Sequence, residues 1–265
     1  MKLYVATAIA SVFVFGIFTI SNILESFQSE KIQNKHLNIF PQKGIYSTIW
    51  MARAKGINDL IRIADETEIN TLVIDVKDSG VYLGDYIKNL VDELRQKNIY
   101  TVARMVVFQD DSQITNHPDW YFKKSDSALW QDEKKWYWLD PENREMWDFN
   151  VSIAKEAIDA GFDEINNEFS QYLTSELKKY DPDIKLSINI FAYSMLRTDD
   201  LKVGQKLGEK DLKKLRPWIQ DFNIGAIYDS EMIRKEKQAV YDSGLTAGWL
   251  LWNPRNVYTE SALDK

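Results

Sequence analysis

Thr71-Leu72-Val73-Ile74-Asp75-Val76 and Tyr100-Thr101-Val102-Ala103-Arg104-Met105-Val106-Val107-Phe108 decide the fold of this chain. Each is an almost continuous apolar run interrupted by a single charge, Asp75 in the first and Arg104 in the second. A strand with one wet face alternates apolar and polar residues, so an unbroken run marks a strand buried on both faces. Between the two runs, residues 86–96 place Ile87, Leu90, Val91 and Leu94 three and four apart, the spacing of a helix with one apolar face. Strand, helix and strand, with both strands doubly buried, is the repeating unit of a parallel sheet.

The same alternation extends in both directions. Upstream, Lys43-Gly44-Ile45-Tyr46-Ser47-Thr48-Ile49-Trp50 reads as a strand, and residues 57–67 as a helix with Leu60, Ile61 and Ala64 on one face. Downstream, an aromatic loop over residues 110–143 precedes a helix over 144–160 that stops at Gly161, a common C-terminal signal. Then follow a strand over 163–168, a helix over 171–180, a strand over 185–191, a strand over 216–222, a helix over 231–241 and a last strand over 247–253. This is an α/β chain with a parallel sheet, open or closed. It contains no Gly-x-Gly-x-x-Gly and no P-loop, so the nucleotide-binding versions of the alternation lose weight.

Composition sets further bounds. The chain has 265 residues, and an α/β barrel needs about 250. Its net charge of −7 argues against a nucleic-acid partner, whose phosphates an acidic surface repels. The absence of cysteine excludes disulfides, thiolate metal sites and cysteine nucleophiles. The only histidines, His36 and His117, have no second ligand at metal spacing, so neither a metal nor another cofactor is expected. From Leu3 to Ile20 the chain carries no charge, Lys2 precedes this stretch, and no Ala-x-Ala-like cleavage site follows it. Residues 1–21 therefore read as a transmembrane anchor, or as a signal if cleaved, with the N-terminus inside. Residues 22–42 read as a stalk ending near Pro41, and residues 43–265 as the main domain. That arrangement predicts a membrane-anchored, extracytoplasmic protein. Nothing in the sequence sets its oligomeric state.

Polar residues gather where strands end. Asp75 is followed by Lys77 and Asp78, Glu168 closes the fourth strand, and Asn189 lies in the fifth. Asp221 lies near the end of the next strand, and Asn253 closes the last. In a (β/α) barrel, the C-terminal strand ends build the active site. The structural alternative is that Arg104 pairs with Asp75 or Glu168 merely to fill the interior, since a buried lone charge is costly. Trp120, Tyr121, Trp130, Trp136, Tyr137 and Trp138 crowd the aromatic loop. They suit either a sugar-stacking platform or a cover over the core.

Seven stretches carry a resemblance. They are Lys43-Gly44-Ile45-Tyr46; Val73-Ile74-Asp75-Val76-Lys77-Asp78; Ala103-Arg104-Met105-Val106-Val107-Phe108; Trp138-Leu139-Asp140-Pro141; Gly161-Phe162-Asp163-Glu164-Ile165; Arg216-Pro217-Trp218-Ile219-Gln220-Asp221-Phe222; and Gly248-Trp249-Leu250-Leu251-Trp252-Asn253. In these the chain resembles a bacterial glycosyl hydrolase domain family of envelope-associated proteins, of uncharacterised specificity. The resemblance implies a TIM-type barrel and a polysaccharide or glycoconjugate substrate. The chain departs from the family pattern in three places. Asn166-Asn167-Glu168-Phe169 replaces Gln-Phe-Asp-Tyr, so Glu168 stands where the family has a carboxylate. Asn189 replaces an Asp, and a Met-x-Tyr-Pro strand before Arg216-Pro217-Trp218 is missing. The barrel is thus expected to lack one β–α unit.

Most glycosidases use two carboxyl groups with different pKa values. Glu168 is the expected nucleophile or base. Asp221 is the preferred second carboxyl, with Asp75 and Asp140 as alternatives. Arg104 and Lys77 would hold Glu168 ionised by proximity. Arg104, Lys77, Asp140, Asn189, Trp218, Gln220, Trp249 and Asn253 make up the expected substrate-binding set. Trp249 and Trp252 should face opposite sides of their strand, one into the barrel and one toward a helix. Three functions stay open: a glycoside hydrolase with paired carboxylates, a non-catalytic carbohydrate-binding relative, and a structural envelope domain without a sugar ligand.

Overall fold

The computed structural model describes residues 36–78, 81–82, 84–167, 171–188 and 213–265. In chain order the strands are β1 (Gln42–Ser47), β2 (Thr71–Asp78), β3 (Val81–Tyr82), β4 (Tyr100–Met105), β5 (Glu164–Asn167), β6 (Lys185–Ile188), β7 (Trp218–Gln220) and β8 (Gly248–Trp252). The helices are α1 (Ile49–Arg53), α2 (Ile57–Glu66), α3 (Tyr86–Gln96), α4 (Arg144–Ala160), α5 (Gln171–Tyr180) and α6 (Ser230–Asp242). The strand order is β6-β5-β4-β2-β1-β8-β7, with β3 attached to β2. All neighbours along that path are parallel, while β3 is antiparallel to β2.

The doubly buried runs behave as their composition requires. In β2, Leu72, Ile74 and Val76 pack with the helices, while Val73 faces an inner cluster with Tyr46, Tyr100, Val102 and Leu250. Each fully buried aliphatic side chain of this kind contributes about 1.5–3 kcal/mol. The sheet curls around that inner cluster. Arg216, which leads into β7 at one end of the strand order, reaches Glu164 on β5 near the other end. A flat sheet would hold those two strands far apart, so the seven parallel strands form an incomplete TIM-type barrel. Among the described residues no ladder joins β6 to β7. The β–α unit that the sequence lacks would fall between Gly204-Gln205-Lys206-Leu207 and Arg216-Pro217-Trp218, and residues 204–212 of that stretch lie outside the described residues.

Local signals fix the boundaries. Asn143 caps α4 through Met146 N, and Gly161 ends it in the left-handed region at φ 100°. Asp229 caps α6 through Glu231 N and Met232 N. Thr48 ends the first strand earlier than expected, because its Oγ1 accepts from Met51 N and opens α1. Trp50 therefore lies on a helix and not in a strand. Gly248, at φ 97°, lies where an added Cβ would fall 1.8 Å from the Gln42 carbonyl oxygen, so the β1–β8 contact requires glycine there.

Residues Leu37–Lys265 form one compact unit. Leu37 and Ile39 pack onto the inner cluster, and Leu37 N donates to Asp163 Oδ1 at 2.6 Å. The last residues assigned to a stalk thus cover the sheet interior, because their apolar side chains find the inner cluster and not water. The expected anchor, residues 1–21, lies outside the described residues. Among the described residues no helix is long and apolar enough to cross a membrane.

Candidate functional site

Side chains at i and i+2 of a strand share a face. The pairing register sets Asp75 beside Arg104, Arg104 beside Asn166, and Asn166 beside Ser187. The Val73 level, one step lower, carries Tyr46, Val73, Val102, Glu164 and Lys185 in register. The polar residues toward the C-terminal strand ends are therefore neighbours across the sheet, on the face that bears the inner cluster.

Asp75 is the centre of the upper level. It is 1% exposed. Arg104 Nη1 donates to its Oδ1 at 2.7 Å, and the Tyr46 hydroxyl donates to its Oδ2. Burial raises the Asp75 pKa above the ordinary carboxylate value, although the Arg104 charge and the Tyr46 and Arg104 hydrogen bonds pull it down. The Arg104 side chain remains 24% exposed and also lies over the Tyr46 ring, 5.8 Å from its centroid. Arg104 is thus the charged group of this pair that solvent, and any ligand, meets first.

Glu164 organises the level beneath. Arg216 grips it with both guanidinium nitrogens, Tyr100 donates to its Oε2 at 3.0 Å, and Ser187 donates to its Oε1 at 2.5 Å. Asn166 Nδ2 donates to Ser187 Oγ at 2.8 Å, while the buried Asn166 Oδ1 meets no donor among the described residues. Burial and the Glu164 charge both raise the Tyr100 pKa, so its hydroxyl stays protonated as a donor. Tyr46, Tyr100, Glu164, Asn166, Ser187 and Arg216 were all missed as site residues in the sequence. The available signal was the i, i+2 alternation of Glu164 and Asn166 along a strand read only at its last carboxylate.

The expected site residues divide sharply. Asp75 and Arg104 come together as described. Trp218 stands on the inner cluster, edge-on to Tyr46 at 6.4 Å. Gln220 bonds the Phe222 carbonyl at 2.7 Å. Lys77 leaves the interior, because a register shift between Asp75 and Lys77 turns it the other way. It is fully buried, with Nζ 3.0 Å from Asp110 Oδ2, 2.8 Å from Asn150 Oδ1 on α4 and 3.0 Å from the Val107 carbonyl. Lys77 therefore pairs with Asp110, while Asp75 pairs with Arg104.

Asp221 lies one residue past β7. Its two oxygens accept from Thr259 N and Thr259 Oγ1, each at 2.8 Å. It is an anchor for the C-terminal segment, with a pKa raised by burial and lowered in part by those two bonds. Asn253 Nδ2 donates to the Asp221 carbonyl and its Oδ1 accepts from Arg255 N, so it too holds a turn. Asp140 Oδ1 accepts from Glu142 N ahead of α4. Trp249 is fully buried on the helix side, where its Nε1 donates to Tyr241 OH at 2.9 Å. Trp252 takes the opposite face, 41% exposed and edge-on to Phe222. Glu168 and Asn189 lie outside the described residues. Among the described residues, no three His, Cys, Asp or Glu side chains gather to hold a metal ion.

The aromatic loop divides between core and surface. Trp120 and Tyr121 are buried, whereas Trp130 and Trp136 are 40% and 43% exposed. Bridges Gln109–Trp138, Tyr121–Leu139, Lys123–Leu129 and Gln131–Tyr137 fold it into a hairpin-like arm beyond β4.

With this geometry in view, a family model described as "Putative glycosyl hydrolase domain" matches residues 44–175 and 207–258. No functionally curated protein matches the chain. Among solved structures, a hypothetical protein from Ruminiclostridium thermocellum is 23% identical, with a TM-score of 0.49 over 57% of this chain and 99% of its own. The noncanonic maltogenic α-amylase AmyB from Thermotoga neapolitana is 12% identical, with a TM-score of 0.47 over 80% of this chain and 58% of its own. A debranching enzyme from Nostoc punctiforme is 12% identical, with a TM-score of 0.45 over 60% of this chain and 50% of its own. The matches to the amylase and the debranching enzyme thus span 58% and 50% of those proteins.

Proposed function

Because the chain belongs to this glycosyl hydrolase domain family, we propose that it hydrolyses glycosidic bonds of a polysaccharide or glycoconjugate at the C-terminal ends of its parallel strands. The observation that carries the reading is Asp75: a buried carboxyl at a strand end, with a raised pKa, bonded to the partly exposed Arg104. A general acid must still hold its proton near the working pH, and burial moves Asp75 in that direction. Arg104 binds the sugar, and its departure from Asp75 gives the substrate access to the acid. Glu168, four residues beyond Glu164 in the sequence, is proposed as the base or nucleophile. A retaining enzyme would set the two carboxyls ~5–5.5 Å apart and an inverting one ~6.5–9.5 Å apart. The uncharged stretch from Leu3 to Ile20 supports the further proposal that an N-terminal anchor places this domain outside the cytoplasm.

One observation favours a binding role without chemistry. Among the described residues, Asp75 and Glu164 are both saturated, Asp75 by Tyr46 and Arg104, and Glu164 by Arg216, Tyr100 and Ser187. Reducing-end release from a panel of envelope and plant polysaccharides separates the readings. Hydrolysis predicts release that disappears in Glu168→Gln. Binding alone predicts retention of a polysaccharide with no release from the wild-type chain.

A further inference from the structure

Gln109, Asp110, Asp111, Trp136 and Tyr137 line a crevice of about 80 Å³ in the loop between β4 and α4. Its parts are not equivalent. Asp110 is fully committed: it pairs with Lys77 at 3.0 Å, accepts from Tyr82 OH at 2.9 Å and accepts from Ser112 N at 2.9 Å. It fixes the floor. Around it, the Gln109 amide, the Asp111 carboxylate, the Tyr137 hydroxyl and Trp136 Nε1 have no side-chain hydrogen bond among the described residues. Backbone bridges Gln109–Trp138 and Gln131–Tyr137 hold the two walls together. The Trp136 ring is 43% exposed, and Lys134 lies 4.9 Å from its centroid.

An aromatic ring in one crevice with several hydrogen-bonding groups that the protein does not itself engage is suited to a ligand with one C–H-rich face and a rim of hydroxyls. We propose that this crevice is a subsite for one neutral pyranose unit, with its C–H face on Trp136 and its hydroxyls bonded to Asp111, Gln109 and Tyr137. The proposal rests on the reading that the ligand of this chain is a polysaccharide, and it adds where the chain grips that ligand. Sugar hydroxyls donate to the Asp111 carboxylate in charge-assisted bonds, which are about twice as strong as neutral ones. A uronate would meet the unpaired Asp111 charge and be repelled. The rigid floor means that little order has to be gained on binding, which favours affinity.

The test uses the full chain labelled with 5-fluorotryptophan, with the Trp136 resonance assigned through Trp136→Phe. The probes are hexamers of β-1,4-glucose, α-1,4-glucose, β-1,4-xylose and β-1,4-mannose, titrated one at a time. At least one should shift the Trp136 ¹⁹F signal saturably. Read by isothermal titration calorimetry, Trp136→Ala should weaken that binding at least tenfold, Asp111→Asn several-fold, and Trp130→Ala, outside the crevice, not at all. No shift from any of the four probes overturns the subsite, and so does a Kd unchanged by both Trp136→Ala and Asp111→Asn. Hydrolysis that ignores these two variants would sink the subsite and leave the hydrolase reading intact. Saturable binding at Trp136 with no hydrolysis would do the reverse.

Discussion

Replacing Asp110 by asparagine removes one charge from a pair in which both side chains are fully buried. The amide keeps the shape and still accepts from Tyr82 and Ser112, so the lost quantity is the partner of Lys77. Breaking a buried pair from one side costs about 3–5 kcal/mol, a large share of a typical domain stability of about 5–15 kcal/mol. The effect has a pH signature. Burial already lowers the Lys77 pKa, and the Asp110 charge opposes that shift. Without Asp110 the native pKa falls further below the unfolded value of ~10.4. Between those two values the unfolded state binds more protons than the native state, so stability rises with pH. The Asp110→Asn deficit is thus full below the native pKa and shrinks toward pH 10. Urea unfolding at pH 7 and pH 9 measures both effects. Adding Lys77→Met to Asp110→Asn should recover at least half of the loss, because no unpaired charge then remains. A single-variant cost under about 1 kcal/mol, or a double variant as unstable as the single one, would refute the reasoning.

Three other outcomes are expected. Gly248→Ala should lose about 3 kcal/mol or more, read as a fall in the urea midpoint, since its Cβ would strike the Gln42 backbone at a positive φ. Asp221→Ala should lose about 2 kcal/mol with its Thr259 bonds yet leave reducing-end release at the wild-type rate. Asp75 has a raised native pKa, so between the unfolded value of ~3.9 and that higher value the native state binds the extra proton. Wild-type stability relative to Asp75→Asn should therefore increase as pH falls through that window, and parallel stability curves would contradict this.

Most of the fold was legible because it depends on periodicity. The helices over 86–96, 144–160 and 171–180 have the boundaries expected from the sequence, set by apolar spacing and by Asn143 and Gly161. The first strand was read too long because Thr48 can end a strand by capping the next helix, and strand propensity alone does not register that. The site was less legible. Asp75 and Arg104 stood out as charges inside apolar runs, and they do pair across adjacent strands. Lys77 looked like their companion in sequence, but a one-residue register shift sends it to the opposite layer. Asp221 and Asn253 sit at strand ends, yet their partners are turns of the C-terminal segment, which no local pattern reveals. The pairing of Arg216 with Glu164 spans 52 positions and arises only when the sheet curls.

The most direct test of the central claim is reducing-end release measured beside equilibrium binding for wild type and Asp75→Asn, on one polysaccharide that the wild-type chain cleaves. A carboxyl that acts as the acid predicts binding within about threefold of wild type and release reduced by about a hundredfold or more. Release by Asp75→Asn at the wild-type rate, with binding intact, would show that Asp75 only positions Arg104 and would contradict its assignment as the acid.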